Sequence, residues 1–305
     1  MSTFLSLGEI MVEIAPAEGG LFRKGYAGDT FNTAWYARRL LPEDWEVSYG
    51  TVVGSDAVSN DMLRFIADQR IGTERIRRDE TRTAGLYMIS LENGERSFSY
   101  WRGQSAAKTL GNDPAWLDEI LKGVDLVQFS GITLAILPPE GREVLCDALA
   151  RARQAGTHVA FDTNLRPRLW ESAETMAGGL RMGAAVSDTV MPSFDEEQLC
   201  FGDTLPDETI ARYRALGAGC VAVKNGAEMC HVWSDGEGDY RFDPPPVAQV
   251  VDSTAAGDSF GAGFLATRVL GGSVAEATQA AAGLAARVIQ KRGALAPEIF
   301  EGDET

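Results

Sequence analysis

Short apolar runs of strand length alternate along this chain with stretches whose apolar positions recur at helical spacing. The first run, 4–14, reads as a buried strand that passes into an alternating one. Residues 29–41 then offer Phe31, Ala34, Trp35 and Leu40 as one inward helical face. The same rhythm predicts strands at 47–53, 126–129, 158–161, 189–191 and 220–224. Helices are predicted at 56–69, 140–155, 195–200 and 207–216, and then at 258–270 and the alanine-rich 274–290. Strand-then-helix order of this kind predicts an α/β, three-layer fold, with a mostly parallel central sheet and helices on both faces.

One segment departs from the rhythm. Residues 84–90 and 96–101 flank Asn93-Gly94, a pair that tolerates positive φ and so signals a hairpin. No helix separates the two strands, which carry Tyr87, Phe98, Tyr100 and Trp101. With 21–26 as a companion, they predict a small antiparallel β lid. The lid occupies about 10–26 and 84–103 of a single domain covering 1–305. Such a lid can close over a substrate, and its apolar face can join two subunits into a homo-oligomer. A second antiparallel patch, 229–233 and 240–242, leads into Pro244-Pro245-Pro246, which stiffens the approach to residue 252. The last residues, 301–305, form an acidic tail expected to fray.

Composition narrows the partners. With 305 residues and 45% hydrophobic content the chain can bury a full core. Its formal charge of −16 argues against a nucleic-acid or anionic-membrane partner, both of which need a basic face. An anionic substrate must then be drawn by local cations against the overall field. Cys146, Cys200, Cys220 and Cys230 show no C-x-x-C spacing, and the histidines are His158 and His231 alone. That pattern speaks against zinc and for free buried thiols in a reducing compartment. The N-terminus lacks the charged and apolar regions of a leader, and no apolar run has bilayer length, so a soluble cytoplasmic protein is expected.

Candidate chemistry concentrates in Asp252-Ser253-Thr254-Ala255-Ala256-Gly257-Asp258, where a strand-like approach meets an apolar helix. Small side chains there let backbone amides converge at a helix N-terminus, which favours an anion. Asp258 stands at the mouth of that anion site, where a carboxylate is costly unless it serves as a general base for a hydroxyl. A helix N-cap fits the same residue. The string is neither a Rossmann glycine fingerprint nor a Walker loop.

This string resembles the C-terminal signature of the ribokinase-like (PfkB) carbohydrate kinases, with Ala255 in place of a more usual glycine. The resemblance implies that Asp258 is the catalytic base and that the amides of Ala255, Ala256 and Gly257 form the anion hole; Ala255 is expected to add a methyl group and little else. Ala27-Gly28-Asp29-Thr30-Phe31-Asn32 is similar to the family's N-terminal signature, which implies sugar contacts from Gly28 and Asn32. Tyr100-Trp101-Arg102, Ser130-Gly131-Ile132 and the run from Phe161 to Trp170 closely resemble the 2-keto-3-deoxygluconate kinases within that family. A sugar acid needs a cation for its carboxylate, and arginine supplies a two-pronged match. Arg102 and Arg166 end predicted strands, where open α/β sheets hold their ligands.

By matching position, Tyr87, Tyr100, Arg102 and Arg166 join Gly28, Asn32 and Asp258 as the expected sugar-acid contacts. Asn164, Ser193, Lys224, Gly226, Ala227 and Gly257 are the expected ATP contacts; packing alone also explains Tyr87, and a solvated strand end explains Lys224. Glu196 is placed near a water network around Mg²⁺, and Asp252 with Thr254 near a monovalent cation such as K⁺. The implied reaction is ATP-dependent phosphorylation of 2-keto-3-deoxy-D-gluconate at its terminal hydroxyl. The C4 epimer, fructose or ribose as acceptor, and a catalytically silent sugar-acid sensor, remain open alternatives.

Overall fold

The computed structural model of the protein describes residues 2–92 and 95–301. The expected turn at Asn93-Gly94 and the end of the acidic tail, 302–305, lie outside the described residues. The chain opens with β1 (Ser2–Leu7), β2 (Met11–Pro16), β3 (Phe22–Ala27), α1 (Asp29–Leu40), β4 (Trp45–Gly54), α2 (Ala57–Asp68) and β5 (Ile76–Asp79). Next come β6 (Leu86–Glu92), β7 (Glu95–Trp101), α3 (Pro114–Leu121), β8 (Leu126–Ser130), α4 (Gly131–Ala135), α5 (Pro139–Gln154) and β9 (His158–Asp162). They are followed by α6 (Ala173–Ala185), β10 (Thr189–Val190), α7 (Phe194–Phe201), α8 (Pro206–Ala215) and β11 (Cys220–Val223). The hairpin β12 (Cys230–Ser234) and β13 (Gly238–Phe242) leads to α9 (Ala256–Val269) and α10 (Val274–Val288).

Among the described residues one sheet has the order β13-β12-β11-β10-β9-β8-β1-β4-β5. From β11 to β5 every neighbouring pair is parallel, and the β12–β13 hairpin adds antiparallel strands at the β11 edge. Strand alternation divides the apolar residues between two cores. Phe4, Leu126, Ala160 and Ala222 join Phe31 of α1, Phe264 of α9 and Ala281 of α10 on one face. Leu5, Leu7, Val127, Phe129, Val159, Phe161, Val221 and Val223 join Leu145 of α5, Leu180 of α6 and Tyr213 of α8 on the other. A period of two along each strand thus produces the three layers that the sequence predicts. From β1 the chain leaves to β4 on one side and later reaches β8 on the other. A crevice therefore opens at the carboxyl ends of these strands.

The opening run 4–14 is divided rather than continuous. Its first half is β1 of the large sheet and its second half is β2 of a small sheet ordered β3-β2-β6-β7. That lid is mixed: β2–β3 and β6–β7 are antiparallel, whereas β2–β6 is parallel. Four elements, β5, α3, α4 and α6, were not legible in the hydrophobic pattern. β5 is half-buried throughout and reads Ile-Arg-Arg-Asp, with no apolar alternation. In α6 two glycines face the core because the helix lies too close for a side chain: Gly179 abuts Trp170, and Gly183 abuts Phe161.

The cysteines are free; Cys146, Cys220 and Cys230 are buried and Cys200 partly so, and burial pushes the Cys146 thiol up to about 12. α7 and α8 are tied by a buried ionic cluster. Glu197, fully buried, accepts Tyr213 Oη at 2.9 Å on both oxygens and Arg212 Nη2 at 2.7 Å. Arg212 also reaches both oxygens of Asp203 at 2.5 Å, and Thr209 donates to Asp203 at 2.5 Å.

Burial outweighs the help of Arg212 and Tyr213, and the Glu197 carboxyl is raised from 4.5 to about 7. The folded chain keeps this proton up to about pH 7 while the unfolded chain releases it near 4.5. Stability from this group is therefore complete below 4.5 and is lost as pH rises through about 7. Glu197→Gln is expected to abolish that loss, about 3 kcal/mol across the window, in denaturant unfolding at several pH values. An unaltered pH slope in the variant would refute the assignment.

Candidate active site

The segment 251–258 is fastened before it turns into α9. The amides of Val251 and Asp252 donate to the Ile289 carbonyl at 2.8 and 3.1 Å. Asp252, buried, receives Thr254 N at 3.1 Å and Thr254 Oγ1 at 2.7 Å on one oxygen, and Gly293 N at 2.7 Å on the other. The Asp252 carboxylate thus clamps the loop to the turn after α10. Ala255 caps α9 from the left-handed region, with φ 61°. The Ala256 amide closes on the Ser253 carbonyl at 3.2 Å. The amides of Gly257 and Asp258 lie in the first helical turn, where no intrahelical acceptor exists.

Asp258 is held from α1. Its Oδ2 accepts Asn32 Nδ2 at 2.8 Å, and its carbonyl accepts Thr33 Oγ1 at 3.3 Å. Asp29, first residue of α1, accepts Ser130 Oγ at 2.5 Å from the end of β8 and Asn164 Nδ2 at 2.9 Å from the loop after β9. Asp162, last residue of β9, holds Lys224 Nζ with both oxygens at 2.8 Å. Burial and then the Asp29 charge hold the Asp258 carboxyl well above the usual range, with Asp162 adding and Asn32 and Lys224 opposing. Asp29 is raised too, chiefly by burial, against the Ser130 hydrogen bond and the Arg102 charge. Two half-buried carboxyls therefore face each other where the strands end.

Around them lie the other expected residues. Gly28 precedes α1, and a β-carbon there would collide with the Glu9 carbonyl, so only glycine lets the loop pass. Arg102, just beyond β7, pairs through Nη2 with the buried Glu9. Glu9 Oε1 and Arg102 Nε are buried and without a hydrogen-bond partner among the described residues. Tyr87 directs its hydroxyl onto Glu13 of β2, and its ring lies 5.9 Å from that of Tyr100, whose side chain is exposed. Arg166 is half-exposed and donates to Glu196 Oε1 at 2.8 Å, while Glu196 Oε2 accepts Leu165 N at 2.9 Å. Burial raises the Glu196 carboxyl, and the Leu165 amide and Arg166 oppose that rise.

On the other side of Lys224, Ser193 bridges to it in parallel fashion, with Lys224 N on Pro192 O and Phe194 N on Lys224 O, both at 2.8 Å. Gly226, at φ 58°, then turns the chain, with Ala227 exposed beside it. Among the described residues no group of three or more His, Cys, Asp and Glu could hold a metal ion, and no helix is long and apolar enough to cross a membrane.

Asp29, Asp162, Glu9 and Ser130 were not singled out as site residues from the sequence. Three of the four stand at or just past the end of β1, β8 or β9, and that position was the available signal: polar residues closing apolar strands. Ala255 also differs from expectation. Its methyl group is not neutral, because the residue sits in a conformation that L-residues populate at a cost.

The sequence profile of the pfkB family carbohydrate kinases matches residues 1–299. A protein of Escherichia coli strain K12 named 2-dehydro-3-deoxygluconokinase is 39% identical over 299 residues, covering 95% of this chain and 96% of that protein. The crystal structure of a PfkB protein from Polaromonas sp. JS666 superposes with a TM-score of 0.83 at 28% identity, covering 99% of both chains. A putative ribokinase II from E. coli in complex with ATP and Mg²⁺ superposes with a TM-score of 0.83 at 23% identity, over 96% of this chain and 94% of that one.

Ala255→Gly is expected to stabilise the fold by about 1 kcal/mol, the relief of the left-handed strain less the added freedom of the unfolded chain. Chemical denaturation checks this, and a destabilised variant would show that the methyl group packs favourably enough to offset its strain.

Proposed function

The chain belongs to the pfkB family of carbohydrate kinases, and from that premise we propose that it phosphorylates 2-keto-3-deoxy-D-gluconate, also called 2-dehydro-3-deoxygluconate, at the terminal hydroxyl with ATP. The observation that carries the reading is Asp258, a carboxyl with a raised proton affinity beside two first-turn amides of α9 that have no intrahelical acceptor. A carboxyl there can take the hydroxyl proton as the new O–P bond forms, and the raised affinity strengthens it as a base. The Gly257 and Asp258 amides, with the turn from Ala255 and Ala256, receive the transferring phosphoryl group. The O–P bond to ADP breaks as this happens, and the proton ends on Asp258.

The resemblance to a kinase named for its sugar-acid substrate supports the substrate class. Gly28, Asn32, Tyr87 and Tyr100 line the acceptor side, and Arg102 and Arg166 receive the carboxylate. Arg166 suits that role: it is half-exposed, and its pair with Glu196 leaves the fork of donors open to a second carboxylate. Asn164, Ser193, Lys224, Gly226 and Ala227 form the nucleotide side, and the ATP complex of the ribokinase II neighbour supports ATP as donor. Mg²⁺ bound with the nucleotide would neutralise phosphate charge, and Glu196, at the start of α7, is the residue that would hold its water shell. The exposed Leu21, Phe22, Tyr100 and Trp101 support pairing of two chains through the lid.

Asp258→Asn is expected to lower kcat by about 10²–10⁴-fold while ATP still binds, measured by coupled ADP release and by calorimetry. In the unaltered protein the rate should fall as pH drops through the raised Asp258 value, because only the unprotonated carboxylate accepts the proton. Arg166→Ala should raise KM for the sugar acid more than KM for ATP; an unchanged sugar-acid KM would remove Arg166 from the site. Side-by-side assays of the two C4 epimers, fructose and ribose test the acceptor, and faster turnover of a neutral sugar would overturn the sugar-acid reading.

A further inference from the structure

Lys224 has a flexible four-carbon stem, yet its ammonium is fixed. It is buried, both oxygens of buried Asp162 lie 2.8 Å from Nζ, and the backbone on either side of Lys224 is bonded to the 192–194 segment. The ammonium also reaches the start of α9: a β-carbon added at Gly257 would stand 3.3 Å from Nζ. A cation held at that point faces the same first-turn amides that would receive phosphate. Asp162 has a second contact, accepting Asn164 N at 3.2 Å within the turn that follows β9, where Asn164 has φ 30°. An ordinary turn-capping role needs only an oxygen acceptor, which an asparagine would supply equally well. Holding an ammonium in a buried site needs the full negative charge.

Building on the kinase reading, we propose that Asp162 is a positioning residue that keeps the Lys224 ammonium at the Gly257 turn, ready for the terminal phosphates of the nucleotide. The pair also sets the field at Asp258. From α1 that carboxyl faces Asp29 and Tyr36, and from the ends of β9 and β11 it faces Asp162 and Lys224. The charged residues of α10, Glu276 and Arg287, are exposed. Asp162 raises the proton affinity of Asp258 and Lys224 lowers it, so loss of the Asp162 charge alone moves it down.

Asp162→Asn preserves the turn acceptor and removes the charge. Its expected effect is a loss of up to about 10²-fold in kcat/KM for ATP, the scale of a misplaced catalytic contact. KM for the sugar acid should stay within about twofold, and the acidic limb of the rate profile should move to lower pH. Asp162→Glu keeps the counter-charge, and so the fold, but displaces the ammonium by about one methylene; it should weaken ATP use without moving the limb down. Should Asp162→Asn fail to fold, the Asp162→Glu kinetics decide alone. Folded variants with unaltered kcat/KM for ATP and an unmoved limb overturn the proposal while wild-type activity keeps the kinase reading standing. A wild-type protein that releases no ADP with either epimer removes both.

Discussion

The ion pair between Asp162 and Lys224 is the contact on which the candidate site depends. Three carboxyls, Asp29, Asp162 and Asp258, converge in a crevice of a chain whose net charge is already −16. Burial pushes Asp29 and Asp258 toward the neutral form, and a phosphate could hardly approach three ionised carboxylates. A single ammonium gripped by the most buried of the three relieves that field, and it does so beside the amides of α9. The remaining two are stabilised by neutral donors instead: Asn32 on Asp258, Ser130 and Asn164 on Asp29. Charge and hydrogen bonding are thus divided so that one carboxyl stays committed to its lysine while the other two retain proton affinity.

The scaffold explains why these groups meet. Ser130 and Asp162 end β8 and β9, and Lys224 follows β11; these strands are parallel, the first two direct neighbours, and parallel order brings all their carboxyl ends to one edge. Two cores, sorted by strand parity, hold that edge from both faces. α1 and α9 pack together on one face with their N-termini toward the crevice, which delivers Asp29 and Asp258 to the same place.

Much of this was legible in the sequence. The β-then-α rhythm placed most elements to within a few residues, because period-two and period-3.6 burial are imposed by the same two cores. The string ending in Gly257-Asp258 and the stretch from Gly28 to Asn32 marked both helix starts. What stayed hidden depends on contacts far apart in sequence. Asp29 reads as a helix cap until Ser130 and Asn164 are seen on it, and Asp162 reads as a strand end until Lys224 reaches it. Glu196 and Glu197 are adjacent in sequence but face different surroundings, one the Arg166 loop and the other the Arg212 cluster, a distinction set by helix rotation and not by composition. β5 and α6 were missed because charged residues and glycines satisfy local packing where an apolar pattern was sought.

The break in the opening run between β1 and β2 gives the lid an unusual root. Strand β1 of the main sheet continues, after only Gly8, Glu9 and Ile10, into the middle of the small sheet, and the chain leaves that sheet for the last time at Arg102. Glu9 and Arg102 therefore rivet the outgoing and incoming crossings together at the base. The root of the four strands above is thereby tied to the floor of the crevice, where the Glu9 carbonyl lies against the Gly28 loop.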